Sequence, residues 1–377
     1  MKIVFTGGGS GGHFYPIIAV AQEIRILVQE KKLIEPDLYY FGPTPYDERA
    51  LFELGITHYT TAAGKLRRYA SMWNYIDMIK TFWGALTAIL KLFVIYPDVV
   101  FTKGGYASFP TVFAARVLRI PIVVHESDSV FGKANAWATK FARSIAVSYP
   151  ELAATLHGKP VAHTGNPTRR EFFQSEVEGA YEYLHLEKDV PVVLILGGSQ
   201  GAQVINDVVV DALPELLPQY QIIHQTGEKN LKEIETRVTV TLAGIPQASR
   251  YRPFAFLNVL ALKMAMSAAS LVVARAGSSG IFEIAALGLP SIIIPIPKEV
   301  SHDQSKNAFA YARAGAAVVV EQNNLTPHLL VAEIDRLFGN PELIKQMSAE
   351  AKAFARPDAA RTIADELISI GIEHETH

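Results

Sequence analysis

The chain has 377 residues, of which 49% are hydrophobic and none is cysteine. This length predicts two domains, because a single hydrophobic core rarely organises so many residues. The formal net charge of −2 carries no electrostatic signature of nucleic-acid binding, and the lack of cysteine excludes disulfides, thiolate metal sites and thiol catalysis.

Strand and helix patterns alternate from the N-terminus, which begins on a strand rather than on a charged leader, so we expect no signal peptide. Short buried strands are predicted over residues 3–6, 38–41, 99–102, 122–125 and 144–148. Helical stretches separate them, for example over residues 16–29 and 108–118. Such a series of β-α-β units folds into a parallel sheet covered by helices.

A domain boundary is predicted at Gly165-Asn166-Pro167, which a polar segment follows. We expect the first domain over residues 1–166 and the second over residues 167–349. In the second half, strands are predicted over residues 192–196, 221–225, 271–274, 291–295 and 317–321. The predicted fold class is therefore α/β, with two doubly wound, Rossmann-like domains and a ligand in the cleft that the carboxyl ends of both sheets face.

Three of these strands run into glycine-rich turns that open helices, over residues 2–13, 192–202 and 271–283. Such turns present backbone N–H groups and a helix dipole to a phosphate or a sugar. The first turn matches G-x-G-x-x-G at Gly7, Gly9 and Gly12. No acidic residue ends the second strand, and the Lys-Ser/Thr pair of a P-loop is missing, which disfavours NAD, FAD and P-loop hydrolysis. His13 then either takes part in chemistry or only caps or packs the helix.

Several motifs together resemble one family in order and spacing. They are the run 7–16, Lys103-Gly104-Gly105-Tyr106, His125-Glu126-Ser127-Asp128, Gly165-Asn166-Pro167-Thr168-Arg169, the glycine turn 197–202, His224-Gln225-Thr226-Gly227, Arg275-Ala276-Gly277, the run 283–290, Asp303-Gln304 and Asn307-Ala308. This set, over residues 1 to about 322, is similar to that of the MurG family. Those enzymes transfer N-acetylglucosamine from UDP to lipid I and form lipid II in peptidoglycan synthesis. The resemblance implies a GT-B architecture, with a helical tail over about residues 350–377 that packs back on the first domain.

The resemblance also implies that UDP-N-acetylglucosamine binds mainly to the second domain. The forked guanidinium of Arg169 suits the diphosphate, and Glu283 is expected to accept the ribose hydroxyls. The implied donor contacts are Ser10, Gly11, Gly12, Asp128, Arg169, Ser199, Leu257, Gly277, Ser278, Ser279, Gly280, Glu283, Asp303 and Gln304.

Asp128 is a departure from the family, which usually has Asn at this position. An ionised carboxylate accepts hydrogen bonds but cannot donate them. We therefore expect the contacts to the donor sugar or its acetamido group to differ in this chain.

A β-linked product requires inversion of the donor carbon by one in-line displacement, with a base for the acceptor hydroxyl. His13 is the expected base and Glu126 the alternative, although a carboxylate at Glu126 could equally hold His13 or a loop amide in place. Gly104, Gly105 and Tyr106 are expected to bind the acceptor. No D-x-D motif stands in a suitable loop, and helix termini and an arginine can neutralise the pyrophosphate. We therefore expect no cofactor and no tightly bound metal.

Residues 65–96 mix basic side chains with aromatic and aliphatic ones, among them Lys80, Trp83 and Lys91. The two lysines interrupt the apolar run, so we expect no transmembrane helix. The segment is either a core helix or an interfacial helix on an anionic membrane surface. A lipid-linked muramyl-peptide acceptor favours the second, which predicts a peripheral enzyme on the cytoplasmic face of the plasma (inner) membrane, with other cell-wall synthesis proteins as possible partners.

Three other functions stay open at this point. A UDP-N-acetylglucosamine 2-epimerase shares the two-domain architecture but has no use for a membrane face. A binding-only scaffold would be expected to lose Arg169, Ser199 or Glu283, and all three are present. A glycolipid synthase would transfer the sugar to diacylglycerol, whereas the loop motifs of the first domain favour the muramyl acceptor.

Overall fold

The computed structural model describes residues 1–64, 73–156, 158–198, 201–297, 299 and 302–375, without the side chains of residues 74, 178, 302, 303 and 375. The chain divides into two compact units. The first comprises Met1–Arg169 and Arg356–His377, and the second Arg170–Ala355. The predicted boundaries, at residue 166 and at about residue 350, fall a few residues before these two crossings.

A parallel sheet forms the centre of the first unit. Its strands in the described residues are β1 (Lys2–Thr6), β2 (Asp37–Gly42), β3 (Ile56–Thr60), β4 (Val99–Thr102), β5 (Ile122–Glu126), β6 (Ser144–Val147) and β7 (Val161–His163). Their spatial order is β3-β2-β1-β4-β5-β6-β7. The chain reverses its direction of winding between β1 and β4, and ligands bind beyond the carboxyl ends of the strands at such a switch point.

Helices cover both faces of this sheet. Those that precede the second unit are α1 (Gly11–Glu30), α2 (Glu48–Glu53), α3 (Trp73–Ile95), α4 (Phe109–Val117), α5 (Lys133–Ala138) and α6 (Pro150–Ala153). Ala88 and Leu92 of α3 pack with Val112 of α4 against the apolar side chains of β4 and β5. Burial of these aliphatic groups holds α3 on the sheet by one face.

The second unit repeats the same strand order. Its described strands are β8 (Val192–Leu196), β9 (Gln221–Gln225), β10 (Tyr251–Phe254), β11 (Leu271–Arg275), β12 (Ser291–Ile294) and β13 (Ala317–Val319). They are arranged β10-β9-β8-β11-β12-β13, so the switch point lies between β8 and β11. The helices are α7 (Val177–Tyr183), α8 (Gln203–Leu216), α9 (Leu231–Thr241), α10 (Val259–Ala268), α11 (Ser278–Ala286), α12 (His302–Arg313), α13 (Pro327–Phe338) and α14 (Pro341–Phe354).

The last helix, α15 (Ala359–Glu375), returns to the first unit. Its buried Ile363 and Leu367 share a core with Ile24 of α1. Arg361 forms an ion pair with Glu30 at the end of α1. Apolar burial and surface charge therefore both attach the C-terminal segment to the first unit.

Three strands escaped the sequence prediction, namely β3, β7 and β10. Each of them lies at the edge of its sheet, where fewer side chains are buried and the apolar pattern is weak. Pro253 within β10 is compatible with such an edge position, because an edge strand does not need every N–H group for pairing. Helix α1 also begins at Gly11, earlier than the predicted residue 16, which places His13 in its first turn.

Candidate active site

His13 lies where α1 begins, directly after the glycine turn that follows β1. Its Nδ1 lies 2.8 Å from Oγ of Ser10. The tautomer that donates from Nδ1 to Ser10 leaves Nε2 as a proton acceptor, which is the form that a general base requires. Ser10 therefore can orient the imidazole as well as begin the helix.

The protonation of His13 is controlled by its surroundings. Burial, and next the positive charge of Lys103, lower the pKa of His13 to about 4. The imidazole is accordingly neutral near pH 7 and free of the proton that would prevent it from acting as a base.

The loop after β4 lies against this turn. Gly104 and Gly105 have φ angles of +77° and +81°, in the region that favours glycine. A Cβ atom on Gly105 would lie 2.7 Å from Cα of Gly8, so only glycine allows this approach of the two loops. Tyr106 follows with 40% of its surface exposed. An acceptor-binding role for this loop stays a prediction.

Glu126 ends β5 and is only 5% exposed. Its carboxylate accepts hydrogen bonds from Nδ2 of Asn135 (3.0 Å) and from the backbone N–H groups of Gly132 (3.0 Å) and Asp128 (3.2 Å). Burial, and next the charge of Asp128, raise the pKa of Glu126 to about 7. The contacts are those of a carboxylate that fixes the loop before α5, which is the structural role that the sequence left open beside catalysis.

Lys103 stands in a sequence motif that predicted no role for it, yet it lies beside the loops of Gly104 and Glu126. It directly follows β4, is 1% exposed, and places its Nζ within hydrogen-bond distance of His125, Ser127 and Asn166. The sequence does place this lysine between a buried apolar strand and a pair of glycines. A charge in that position needs buried hydrogen-bond partners, and this pattern was the signal that could have identified Lys103.

Arg169 belongs to the first unit rather than to the second, in which the predicted boundary had placed it. Its side chain is 5% exposed, and the guanidinium lies 4.2 Å from the centre of the Tyr15 ring. Such stacking orients a guanidinium while it keeps its charge. A contact of Arg169 with the donor stays a prediction.

In the second unit, the N-terminus of α11 lies at the switch point. Gly277 is the N-cap, Ser278, Ser279 and Gly280 form the first turn, and Glu283 follows one turn further on. A Cβ atom on Gly277 or Gly280 would meet no described atom within 4 Å. The first turn of α11 therefore borders open space, where an anion can reach its N–H groups.

Gln225 connects two loops that carry predicted donor contacts. Its Nε2 donates to the carbonyl oxygen of Gly198 (3.1 Å), and its Oε1 accepts from the backbone N–H of Leu257 (3.1 Å). The side chain of Leu257 is buried and its backbone N–H is bonded to Gln225, so a contact of Leu257 with the donor stays a prediction. Ser199 lies outside the described residues. Gln225 stands in one of the sequence motifs, but its sequence context predicted no role for it.

The remaining predicted sugar contacts lie at the start of α12. Oε1 of Gln304 accepts a hydrogen bond from the backbone N–H of Ile296 at 3.2 Å. That bond fixes the loop after β12 and leaves the amide donors of Gln304 for other partners. Asp303 belongs to α12, and its side chain is outside the described residues.

Within the described residues, no three His, Asp or Glu side chains form a group that could hold a metal ion. The expectation of a reaction without a tightly bound metal stays a prediction.

Helix α3 presents a broad apolar surface away from the core. The exposed large side chains of this helix include Trp73, Tyr75, Ile76, Met78, Ile79, Phe82, Trp83, Leu86, Leu90, Phe93 and Val94. Lys80 is exposed beside them, whereas Nζ of Lys91 donates to the carbonyl oxygen of Thr60 (3.0 Å). Residues 65–72, which begin the segment predicted to contact a membrane surface, lie outside the described residues.

By length and composition alone, α3 is the one helix in the described part of the chain that could cross a membrane, over Tyr75–Ile95. On that criterion Lys80 and Lys91 do not by themselves exclude a span, and the expectation that α3 does not cross a membrane stays a prediction. The packing of Ala88 and Leu92 in the core nevertheless attaches one face of α3 to the sheet.

Two family models match the sequence of this chain. The glycosyltransferase family 28 N-terminal domain matches residues 3–147, and the C-terminal domain of the same family matches residues 192–363. Rossmann-like units with a helix N-terminus after β1 and after β11, together with these matches, define a glycosyltransferase of the GT-B class.

Curated relatives agree over nearly the whole chain. A protein from Bacillus cereus, named UDP-N-acetylglucosamine–N-acetylmuramyl-(pentapeptide) pyrophosphoryl-undecaprenol N-acetylglucosamine transferase 2, is 36% identical over 96% of this chain and 97% of its own length. A protein of the corresponding name from Treponema denticola is 34% identical over 97% of both chains. The chain therefore belongs to the MurG family of glycosyltransferases, as its motifs predicted.

Solved structures confirm the fold class. The crystal structure of MurG from Acinetobacter baumannii matches with a TM-score of 0.73 at 24% identity, covering 98% of this chain and 99% of that one. A UDP-GlcNAc 2-epimerase from Neisseria meningitidis, bound to UDP-GlcNAc, matches with a TM-score of 0.69 at 13% identity and covers 98% and 100%. Backbone similarity alone hence does not separate a transferase from an epimerase.

Proposed function

We propose that this protein transfers N-acetylglucosamine from UDP-N-acetylglucosamine to the C4 hydroxyl of the muramyl unit of an undecaprenyl-pyrophosphoryl-linked peptide acceptor. The observation that carries this proposal is the agreement with relatives of that named activity over 96% of the chain at 36% identity. Chemical features at the switch point of each unit support it.

Donor binding is assigned to the second unit. The N-terminus of α11 offers N–H groups and a positive dipole to the diphosphate, and Glu283 offers a carboxylate to the ribose hydroxyls. Gln225 supports the neighbouring loops through its bonds to Gly198 and Leu257. Together these groups suit the diphosphate and the ribose of a UDP-sugar.

The first unit supplies the base in this mechanism. Nε2 of His13 accepts the proton of the acceptor hydroxyl while the oxygen attacks the anomeric carbon of the sugar. The C–O bond to UDP breaks in the same step, so the configuration inverts. Arg169 and the dipole of α11 stabilise the negative charge that develops on UDP.

The acceptor reaches this site from a membrane surface, on which the outer face of α3 rests. That face carries Trp83, 57% exposed, and the ammonium of Lys80. Aromatic rings suit the headgroup region, and a cation is attracted by anionic lipid. The enzyme is accordingly assigned to the cytoplasmic face of the plasma membrane, as a peripheral protein.

A UDP-N-acetylglucosamine 2-epimerase is the alternative that an experiment must exclude, because the epimerase from Neisseria meningitidis shares this fold with a TM-score of 0.69. An epimerase converts UDP-N-acetylglucosamine without any acceptor. It has no need for the apolar outer face of α3.

Product analysis by mass spectrometry separates the two functions. The purified protein is incubated with UDP-N-acetylglucosamine, with and without a soluble lipid I analogue. Transfer predicts a disaccharide product and UDP only when the acceptor is present. An isomerised UDP-sugar without acceptor, and no disaccharide with it, would overturn the proposal in favour of the epimerase.

A further inference from the structure

Lys103 occupies an interior position that an ammonium group rarely tolerates. Its Nζ lies 2.6 Å from Nδ1 of His125, 2.6 Å from Oγ of Ser127 and 2.9 Å from Oδ1 of Asn166. The residue is 1% exposed, so these protein atoms replace water as its hydrogen-bond partners. Three acceptors match the three N–H donors of an ammonium group.

The orientation of the neighbours agrees with a charged lysine. Nε2 of His125 lies 2.9 Å from the carbonyl oxygen of Gly165, which can only accept, so the proton of the neutral ring is on Nε2 and Nδ1 accepts from Lys103. The hydroxyl of Ser127 donates to Asn166 at 3.3 Å and therefore accepts from Lys103. Burial, and next Lys103, hold the pKa of His125 well below its usual value, so this ring stays neutral.

These contacts join three separate parts of the sheet edge. Lys103 follows β4, Ser127 follows β5, and Asn166 lies in the segment after β7. The lysine thereby ties the loop that carries Glu126 and Asp128 to the loop of Gly104 and Gly105. That second loop contacts the turn of His13, since a Cβ atom on Gly105 would lie 3.4 Å from Nε2 of His13.

Lys103 is also a counter-charge for its surroundings. The carboxylates of Glu126 and Asp128 both favour its charged form, against the burial that lowers its pKa to about 7. Glu126 and Asp128 repel each other, as the raised pKa of Glu126 reflects, and removal of the ammonium takes away a positive charge that offsets this repulsion. Lys103 in turn disfavours a proton on His13.

We propose that Lys103 is a positioning residue for the transfer reaction, whose ammonium fixes the Glu126 to Asp128 loop against the glycine loop beside His13 and offsets the charge of Asp128. The inference rests on the proposed function, because His13 and the acceptor loop acquire their roles there. Lys103 itself touches no reacting atom in this scheme.

The test uses Lys103→Met, which keeps the length of the side chain and removes its charge and donors. We expect kcat with UDP-N-acetylglucosamine and a soluble lipid I analogue to fall about tenfold or more, while KM for the donor changes less than about threefold, since the donor contacts belong mainly to the second unit. The acid limb of the kcat profile should move to higher pH by about half a unit or more, because a cation near His13 is lost. Among the described residues, Lys103 is the charged group that acts on the pKa of His13.

A double-mutant cycle with Asp128→Asn examines the counter-charge. In the Lys103→Met background, Asp128→Asn removes the uncompensated carboxylate and should raise kcat about threefold more than the same substitution does in the wild type. Purely additive effects of the two substitutions would overturn the charge coupling. The exposed Lys140→Met is the matched control and should leave kcat and its pH profile as in the wild type.

Ser127→Ala keeps the inference testable if Lys103→Met fails to fold, as judged by circular dichroism and thermal unfolding. It removes one acceptor of Lys103 with little change in volume, and kcat should fall about threefold or more at constant donor KM. Wild-type kcat and acid limb in a folded Lys103→Met protein would refute the inference, as would wild-type kcat in Ser127→Ala where only that variant folds. Absence of disaccharide with the wild-type protein would instead refute the proposed function.

Discussion

The pH dependence of kcat separates the two candidate bases, His13 and Glu126. Burial and Lys103 lower the pKa of His13 to about 4, whereas burial and Asp128 raise the pKa of Glu126 to about 7. A general base acts in its unprotonated form, so activity is lost as the pH falls through its pKa. At pH 5.5, a base with a pKa near 4 is about 97% unprotonated, and a base with a pKa near 7 only about 3%.

With His13 as base, we expect kcat on a soluble lipid I analogue to fall less than about twofold from pH 7 to pH 5.5 at saturating substrates. With Glu126 as base, the unprotonated fraction would drop from about one half to about 3%, and kcat about fifteenfold. Release of UDP, followed by a coupled assay at each pH, measures the difference. A fall of more than about tenfold in this interval would refute the assignment of His13.

His13→Gln completes this experiment. The loss of the base should lower kcat by roughly 10² to 10⁴. UDP affinity in calorimetry should hardly change, because the base acts in the transition state and UDP binds mainly to the other unit. His328→Gln, a substitution of an exposed histidine in the second unit, is the matched control and should retain wild-type kcat.

Three further predictions concern the donor, its sugar and the membrane. Glu283→Ala should weaken UDP binding by roughly 1 to 3 kcal/mol in calorimetry, the scale of lost charge-assisted hydrogen bonds, and unchanged affinity would remove Glu283 from the site. Asp128→Asn should keep kcat/KM for UDP-N-acetylglucosamine within about a hundredfold of the wild type, and a larger loss, above ~2.7 kcal/mol in the barrier, would give this carboxylate an essential role. Lys80→Glu combined with Trp83→Ser should reduce binding to anionic liposomes and activity on a long-chain acceptor but not on a short soluble one, whereas equal losses on both would contradict the membrane assignment. Lys91 is left out of that variant because its ammonium already binds the carbonyl of Thr60.

The positions of most strands and of the glycine turns were predictable from the sequence. Central strands such as β1, β4 and β8 are short apolar runs, and the glycines that follow them mark where helices begin. These signals are local, because burial on both faces leaves a continuous apolar run in the chain. The edge strands β3, β7 and β10 were missed because they are only partly buried and so leave no continuous apolar run in the sequence.

Family and class of chemistry also followed from the sequence, because the motifs occur together in one order. The candidate residues His13, Glu126 and Glu283 were all identified at that stage. What the sequence left open was which of two roles Glu126 plays. Its two hydrogen bonds from the loop before α5 and the third from Asn135 of α5 became visible only in the folded chain.

Tertiary structure alone decided the partners of buried polar groups and the exposure of apolar ones. Lys103 and Asn166 lie 63 positions apart in the chain, yet Nζ of the lysine is 2.9 Å from Oδ1 of the asparagine. No local sequence pattern predicts such a pair. The apolar residues of α3 look alike in sequence, yet Ala88 and Leu92 are buried while Trp83 is exposed. Periodicity along a chain records how regularly side chains alternate, whereas charge pairing and burial depend on which distant segments the fold brings together.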